Sequence, residues 1–219
     1  MNRILIALPC SWTHINSLTA LSINDLVKNN PETDFVVSDK GTISAMRNEL
    51  VRYFLNKDWT HLLFIDGDMV FPKDLPERLL KHNKDIISGY YATRYEPHYP
   101  LLLKCIDKEK HKYEVIPPNQ WQDLMEVDAT GCGCMLIKRF VFEKISKPWF
   151  EFGYSKELQK DVGEDIIFCE KARDLGFKIY VDLTTKCGHI TTKIIMPPEK
   201  PKKLLYPYLV KPKIEVVKK

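Results

Sequence analysis

Two aspartates separated by one glycine, Asp66-Gly67-Asp68, follow directly on the run His61-Leu62-Leu63-Phe64-Ile65 and lead into Met69-Val70-Phe71-Pro72. A buried strand that ends in two carboxylates on one turn offers the oxygen ligands preferred by Mg²⁺ and Mn²⁺. Such ions are commonly held by one or two carboxylates together with a substrate's phosphates. An acidic pair in a turn can also cap backbone amides, which is the plainer reading. The place of this pair, straight after a strand and with Gly67 letting backbone approach between the carboxylates, favours a cation and therefore an anionic partner.

Three further groups of residues could share that chemistry. Gly163-Glu164-Asp165 opens a helical stretch, where acidic side chains either complement the helix dipole or serve as a general base that the dipole keeps ionised. His189, in Cys187-Gly188-His189-Ile190, is either a structural histidine or an additional ligand suited to Mn²⁺. Gly131 and Gly133 precede a strand, as a bulge, for tight packing, or so that backbone can approach a bound sugar. The chain has neither Gly-x-Gly-x-x-Gly nor Gly-Lys-Ser/Thr, so metal and side chains must grip any phosphate.

The elements that must carry these residues alternate in the first ninety positions. Apolar runs at 4–8, 35–37, 61–65 and 85–89 read as strands, and helical spacing at 18–27 and 44–56 separates the first three. Asp74 with Glu77 three residues later resembles a capping box, and Pro76 suits a first helical turn. Strand and helix in alternation predict a single α/β domain around a mostly parallel mixed sheet, with ligands beyond the strands' carboxyl ends. The second half changes character: a hairpin over 101–106 and 111–116, a strand at 133–137, a short helix at 140–146, a helix at 164–175 stopped by Gly176, and a strand at 177–183. The expected organisation is one domain over 1–195, with a nucleotide-binding half (1–90) and an acceptor half (91–195), followed by a tail.

That tail, 196–219, holds seven lysines and two glutamates, so it carries +5 of a formal net charge of +4 and the remaining 195 residues carry −1. Its five prolines predict an extended appendage, either solvated or in peripheral contact with an anionic surface; no specific nucleic acid is expected as partner. Six cysteines without a secretory signal read as free thiols in a reducing compartment, which implies a cytoplasmic protein, at most peripheral on a membrane's inner face. Cys132-Gly133-Cys134 lacks a second pair at zinc-site spacing.

The ordered series MRNELVRYFL (46–55), HLLFIDGDMVFP (61–72), VDATGCGCMLIKRFVFEKI (127–145), PWFEF (148–152), GEDIIFCEKARDLGFKIYVD (163–182) and GHI (188–190) resembles family 2-type glycosyltransferases of the GT-A fold, particularly short bacterial, phage and viral members. The resemblance covers roughly residues 3–190. It implies that Asp68 ligates Mn²⁺ or Mg²⁺ directly, that Asp66 shares the metal site but lies nearer the ribose and donor sugar, and that His189 completes the site. Asp165 would be the catalytic base, with Glu164 orienting the acceptor or sharing that role. Pro9, Ser11 and Asp39 would contact nucleobase and ribose, Arg47, Asn48 and Gly67 would lie at the nucleotide, and Gly131 and Gly133 beside the donor. Trp149 and Phe150, with Tyr91 and Arg94, would form the acceptor pocket. Unlike longer relatives, no fused second domain or membrane helix is expected, which argues against processive polymer synthesis.

The resulting expectation is a metal-dependent, inverting glycosyltransferase that uses a nucleoside-diphosphate sugar and a hydroxyl acceptor on a glycan, lipid-linked or protein-linked carrier. Two other readings stay open. A nucleotidyltransferase that makes sugar nucleotides would want a glycine-rich basic loop that Pro9-Cys10-Ser11-Trp12 does not supply. A non-catalytic carbohydrate- or nucleic-acid-binding module would explain the basic tail but has no use for both acidic pairs.

Overall fold

Alternate residues of the first strand, β1 (Ile4–Pro9), serve two different cores, and this divides the molecule into layers. Leu5 and Ala7 join a cluster with Phe54, Phe64, Phe142 and Phe168, whereas Ile4, Ile6 and Leu8 join Leu26, Ile65, Leu75 and Leu79. A strand apolar on both faces must be covered on both, as central strands of α/β sheets are. The computed structural model describes residues 2–10, 15–191 and 194–195. Ser11 and the tail over 196–219 lie outside them.

The elements follow in order: α1 (Ser17–Asn29), β2 (Thr33–Ser38), α2 (Ile43–Leu55), β3 (His61–Ile65), β4 (Met69–Val70), α3 (Leu75–Leu80), β5 (Ile86–Tyr90), β6 (Leu103–Asp107), β7 (Lys112–Val115), β8 (Leu124–Val127), β9 (Cys134–Lys138), α4 (Arg139–Lys144), β10 (Gly153–Ser155), β11 (Lys160–Val162), α5 (Glu164–Asp174), β12 (Ile179–Lys186), β13 (Gly188–Ile190) and β14 (Ile194–Ile195). Seven strands form one sheet in the order β2-β1-β3-β9-β5-β12-β8. Strands β2, β1, β3, β5 and β12 run one way; β9, between β3 and β5, and the edge strand β8 run the other. The α/β fold with a mixed, mostly parallel sheet is therefore as expected, and the two halves of the chain share it.

Local chemistry sets the ends of these elements. Asn16 caps α1 by accepting from the Leu18 amide at 2.9 Å, and Thr42 caps α2 by accepting from that of Ala45 at 3.3 Å. Gly176 ends the α5 region with φ +84°, a conformation that favours glycine. The expected capping box at Asp74 does not form. Its carboxylate instead pairs with Arg78 one turn on at 2.8 Å and makes no bond to the helix's free amides.

Two small sheets flank the large one. Strand β4 pairs with β13, setting His189 opposite Met69, one residue beyond Asp68. Hairpins β6–β7 and β10–β11 pack near the start of α5. Among the described residues, no helix is long and apolar enough to cross a membrane. Of the six cysteines only Cys105 is not buried.

Candidate functional site

At the carboxyl ends of β1 and β3 a cleft of about 660 Å³ opens, lined by Pro9, Arg47, Asp66, Gly67, Asp68 and Arg94 and closed by Glu164 and Asp165. The turn that carries the acidic pair is held from several sides. Met69 N donates to Asp66 O at 3.2 Å, and Asp66 N donates to Gly133 O at 3.1 Å. Asn16 N and the Thr19 hydroxyl both donate to Gly67 O, at 3.3 and 3.1 Å. Helix α1 is thereby pinned by its first turn to the turn between the two aspartates.

The two carboxylates have different partners. Asp68 Oδ2 accepts from Arg94 Nη1 at 2.8 Å and lies 3.3 Å from His189 Nε2. His189 Nδ1 is 2.9 Å from the Ala92 carbonyl oxygen, which can only accept, so Nδ1 carries a proton. In the neutral ring, Nε2 then turns a lone pair toward a carboxylate, an arrangement that requires a proton or a cation between them. Although burial opposes charge on both, their mutual attraction holds the His189 pKa up and that of Asp68 down. A carboxylate and an imidazole braced by a backbone carbonyl are groups able to ligate a divalent transition-metal cation such as Mn²⁺.

Asp66 lines the same cleft with a different partner. Its Oδ1 accepts from Arg47 Nη2 at 2.9 Å, and burial, against the pull of Arg47, raises its pKa. Among the described residues, no group of three or more His, Cys, Asp and Glu side chains gathers as a metal cage. Asp68 and His189 converge, and each aspartate of the pair meets a guanidinium, Asp66 that of Arg47 and Asp68 that of Arg94.

Arg47 organises the rest. Its side chain is 3% exposed, its Nε donates to Glu164 Oε1 at 3.0 Å, and its guanidinium lies over the Phe64 ring at 5.1 Å. Burial opposes the charge but is outweighed by Asp66, Cys132 and Glu164, so its pKa is raised. Nη1 is buried without a partner, an uncommon state for a charged donor. Glu164 is 7% exposed and tied to Arg47, and it lines the cleft beside Asp165. Asp165 accepts from the Ile166 amide at 2.8 Å. Burial first, then Glu164, push its pKa up to about 7, so the helix dipole does not keep it strongly ionised as expected.

The two glycines make room for Tyr91. A Cβ on Gly131 would lie 2.3 Å from the Tyr91 hydroxyl oxygen, and one on Gly133 would lie 3.1 Å from it. That oxygen accepts from Gly133 N at 2.9 Å. Tyr91 is 4% exposed, so its ring is core rather than pocket wall, and its hydroxyl pKa is raised well above normal, first by burial and then by Asp66 and Asp165. The close approach that the glycines permit is thus already made by this chain's own side chain. Gly67 is the contrary case, since an added Cβ would meet only ordinary contacts with Ile15, Cys10 and Leu8 at 3.7–3.9 Å.

Several expected contacts fall elsewhere. Asn48 is buried, donates to the carbonyls of Ser44 and Phe150, and accepts from the amides of Trp149 and Phe150, so it clamps a loop instead of reaching the cleft. Trp149 and Phe150 are 2% and 1% exposed. The Trp149 indole donates to Phe142 O at 2.7 Å and Phe150 stacks on Phe168 at 4.7 Å, and neither lines the cleft that holds Asp165. Asp39 is exposed beyond β2 and does not line the cleft, and Arg94 sits on the Asp68 side. Cys10, between the expected Pro9 and Ser11, lines the cleft, and so do Ile15, Asn16 and Ile43, which were not anticipated. Of these only Asn16 had a sequence signal, as an Asn immediately before a helical pattern.

No family model matches this chain. No curated protein matches it either. Among solved structures, the crystal structure of A197 from STIV is similar, with a TM-score of 0.58 and 23% identity over 93% of this chain and 98% of that one. This likeness establishes a shared α/β fold over nearly the whole of both chains.

Proposed function

We propose that this protein is a metal-dependent glycosyltransferase that moves a sugar from a nucleoside-diphosphate donor to an acceptor hydroxyl with inversion at the anomeric carbon. The observation that carries the reading is the convergence of Asp68 with His189, Arg47 with Asp66, and Asp165 in one cleft at the carboxyl ends of parallel strands. The GT-A-like motif order and the A197-like fold support it.

In this reading Asp68 and His189 hold Mn²⁺ or Mg²⁺, with water and phosphate oxygens as the other ligands. Bound there, the cation would offset the charge that develops on the departing diphosphate. Asp66, oriented by Arg47, faces the donor's ribose and sugar. Asp165 takes the proton from the attacking hydroxyl, a task suited to a carboxylate whose pKa lies near neutrality. The other carboxylates of the cleft are committed, Asp66 and Glu164 to Arg47 and Asp68 to Arg94 and His189, which favours single displacement over a covalent intermediate.

The test is titration calorimetry with UDP, GDP and dTDP, with and without Mn²⁺. At least one should bind in a metal-dependent manner, and Asp68→Ala should weaken that binding at least tenfold. Failure of all three to bind, or equal binding without metal, would remove the metal-dependent reading.

A further inference from the structure

With Trp149, Phe150 and Tyr91 in the core, the acceptor needs another place. The side chain of Asp165 lines two cavities: the donor cleft, and a second one of about 210 Å³ between hairpins β6–β7 and β10–β11. We propose, on the basis of the transferase reading, that this second cavity is the acceptor site and takes one sugar ring by its C–H face, with one hydroxyl turned to Asp165.

Size, wall chemistry and rigidity support this. The volume equals about seven waters at ~30 Å³ each, room for one ring but not two. Six of its lining residues are apolar or aromatic, among them Leu101, Tyr113 and Leu158; the charged Lys112, Lys160 and Asp161 line it too, the last two exposed. Two other polar groups are engaged, since Tyr113 Oη donates to Glu170 Oε1 at 2.7 Å and His111 Nδ1 lies 3.0 Å from both oxygens of the same carboxylate. The apolar residues suit a ring's C–H face, and Asp165 is the carboxylate this cavity shares with the donor cleft, placed to meet a hydroxyl. The two hairpins are also fastened together. The Ser155 hydroxyl donates to Lys110 O at 2.7 Å and Lys110 pairs with Glu157 at 3.2 Å, so the pocket is formed before a ligand arrives.

The experiment uses the full chain and ligand-detected saturation-transfer NMR with methyl glucoside, galactoside, mannoside, fucoside and rhamnoside. At least one should bind, with the strongest saturation on ring C–H protons, and Leu158→Trp should weaken that binding at least tenfold while nucleoside-diphosphate affinity stays unchanged. If Leu158→Trp also loses nucleotide affinity, Leu158→Ala replaces it and should weaken glycoside binding threefold or more. No binding of any glycoside by wild type, or equal binding by the variant, would overturn the proposal. Loss of nucleotide binding by the wild type would instead count against the transferase reading, so the two failures are distinct.

Discussion

Arg47 Nε donates to Glu164 Oε1 at 3.0 Å across 117 positions of sequence, and this one bond fastens α2 to the first turn of α5. The same guanidinium holds Asp66 by its other arm. Arg47→Met would leave the buried Glu164 and the half-buried Asp66 without their counter-charge. Breaking a buried pair in this way typically costs about 3–5 kcal/mol, so a marked drop in the urea midpoint is expected. A variant as stable as wild type would contradict this role.

Asp165 should make activity pH-dependent in a definite direction. Its pKa is pushed up to about 7 by burial and by Glu164, so kcat/KM should rise as pH increases through that value. Stability should move the opposite way. Between the ordinary aspartate pKa and about 7 the folded state keeps a proton that the unfolded chain has released, so this stabilisation is full at low pH and lost as pH rises through about 7. Asp165→Asn should therefore be inactive yet melt a few degrees higher than wild type at pH 8, with each kcal/mol appearing as about 2–4 °C for a chain of this size. A pH-rate profile flat from 5 to 9 would refute the assignment.

Two glycines should respond oppositely to the same substitution. Gly131→Ala drives a methyl group into the Tyr91 hydroxyl and should destabilise the fold by about 1–3 kcal/mol. Gly67→Ala meets only ordinary contacts, so it should melt like wild type. A loss of nucleotide affinity in Gly67→Ala at unchanged stability would show that the ligand, not the fold, demands glycine there. Calorimetry and thermal melts on the pair separate the cases.

His61 offers a test of the fold away from the cleft. Burial, helped by Lys138, lowers its pKa to about 4, so the unfolded chain takes up a proton below about 6.5 that the folded state declines. Its contribution is present above the unfolded pKa and is lost as pH falls toward 4. Urea midpoints measured from pH 7 to 4 should fall more steeply for wild type than for His61→Gln.

Much of this architecture was legible in sequence because its signals are local. The run at 61–65 coincides with β3, the alternation of β1 follows from apolar residues on both faces, and Gly176 stops a helix as its φ requires. Asp68, His189 and Asp165 stand out by residue type and position and Arg47 through the family resemblance; Asp68, Arg47 and Asp165 line one cleft, and His189 stands 3.3 Å from Asp68. What escaped depends on long-range partners. Trp149 and Phe150 look like pocket walls until Asn48 is seen holding their backbone 101 and 102 residues away. Strands β10 (Gly-Tyr-Ser) and β11 (Lys-Asp-Val) are three residues each, too short to show an apolar alternation, and only their mutual pairing makes them strands. Residue type alone does not separate Glu164 from Asp165; the family resemblance does, and in the structure it is Glu164 that Arg47 holds.

The central claim is that Asp165 drives sugar transfer from a nucleoside diphosphate. Wild type and Asp165→Asn should be incubated with Mn²⁺, a methyl pyranoside panel and UDP-, GDP- and dTDP-sugars, and free nucleoside diphosphate quantified. The account predicts release from at least one donor, stimulated by an acceptor and reduced by two orders of magnitude or more in the variant with nucleotide affinity retained. No release from any donor, or equal release by Asp165→Asn, would contradict it.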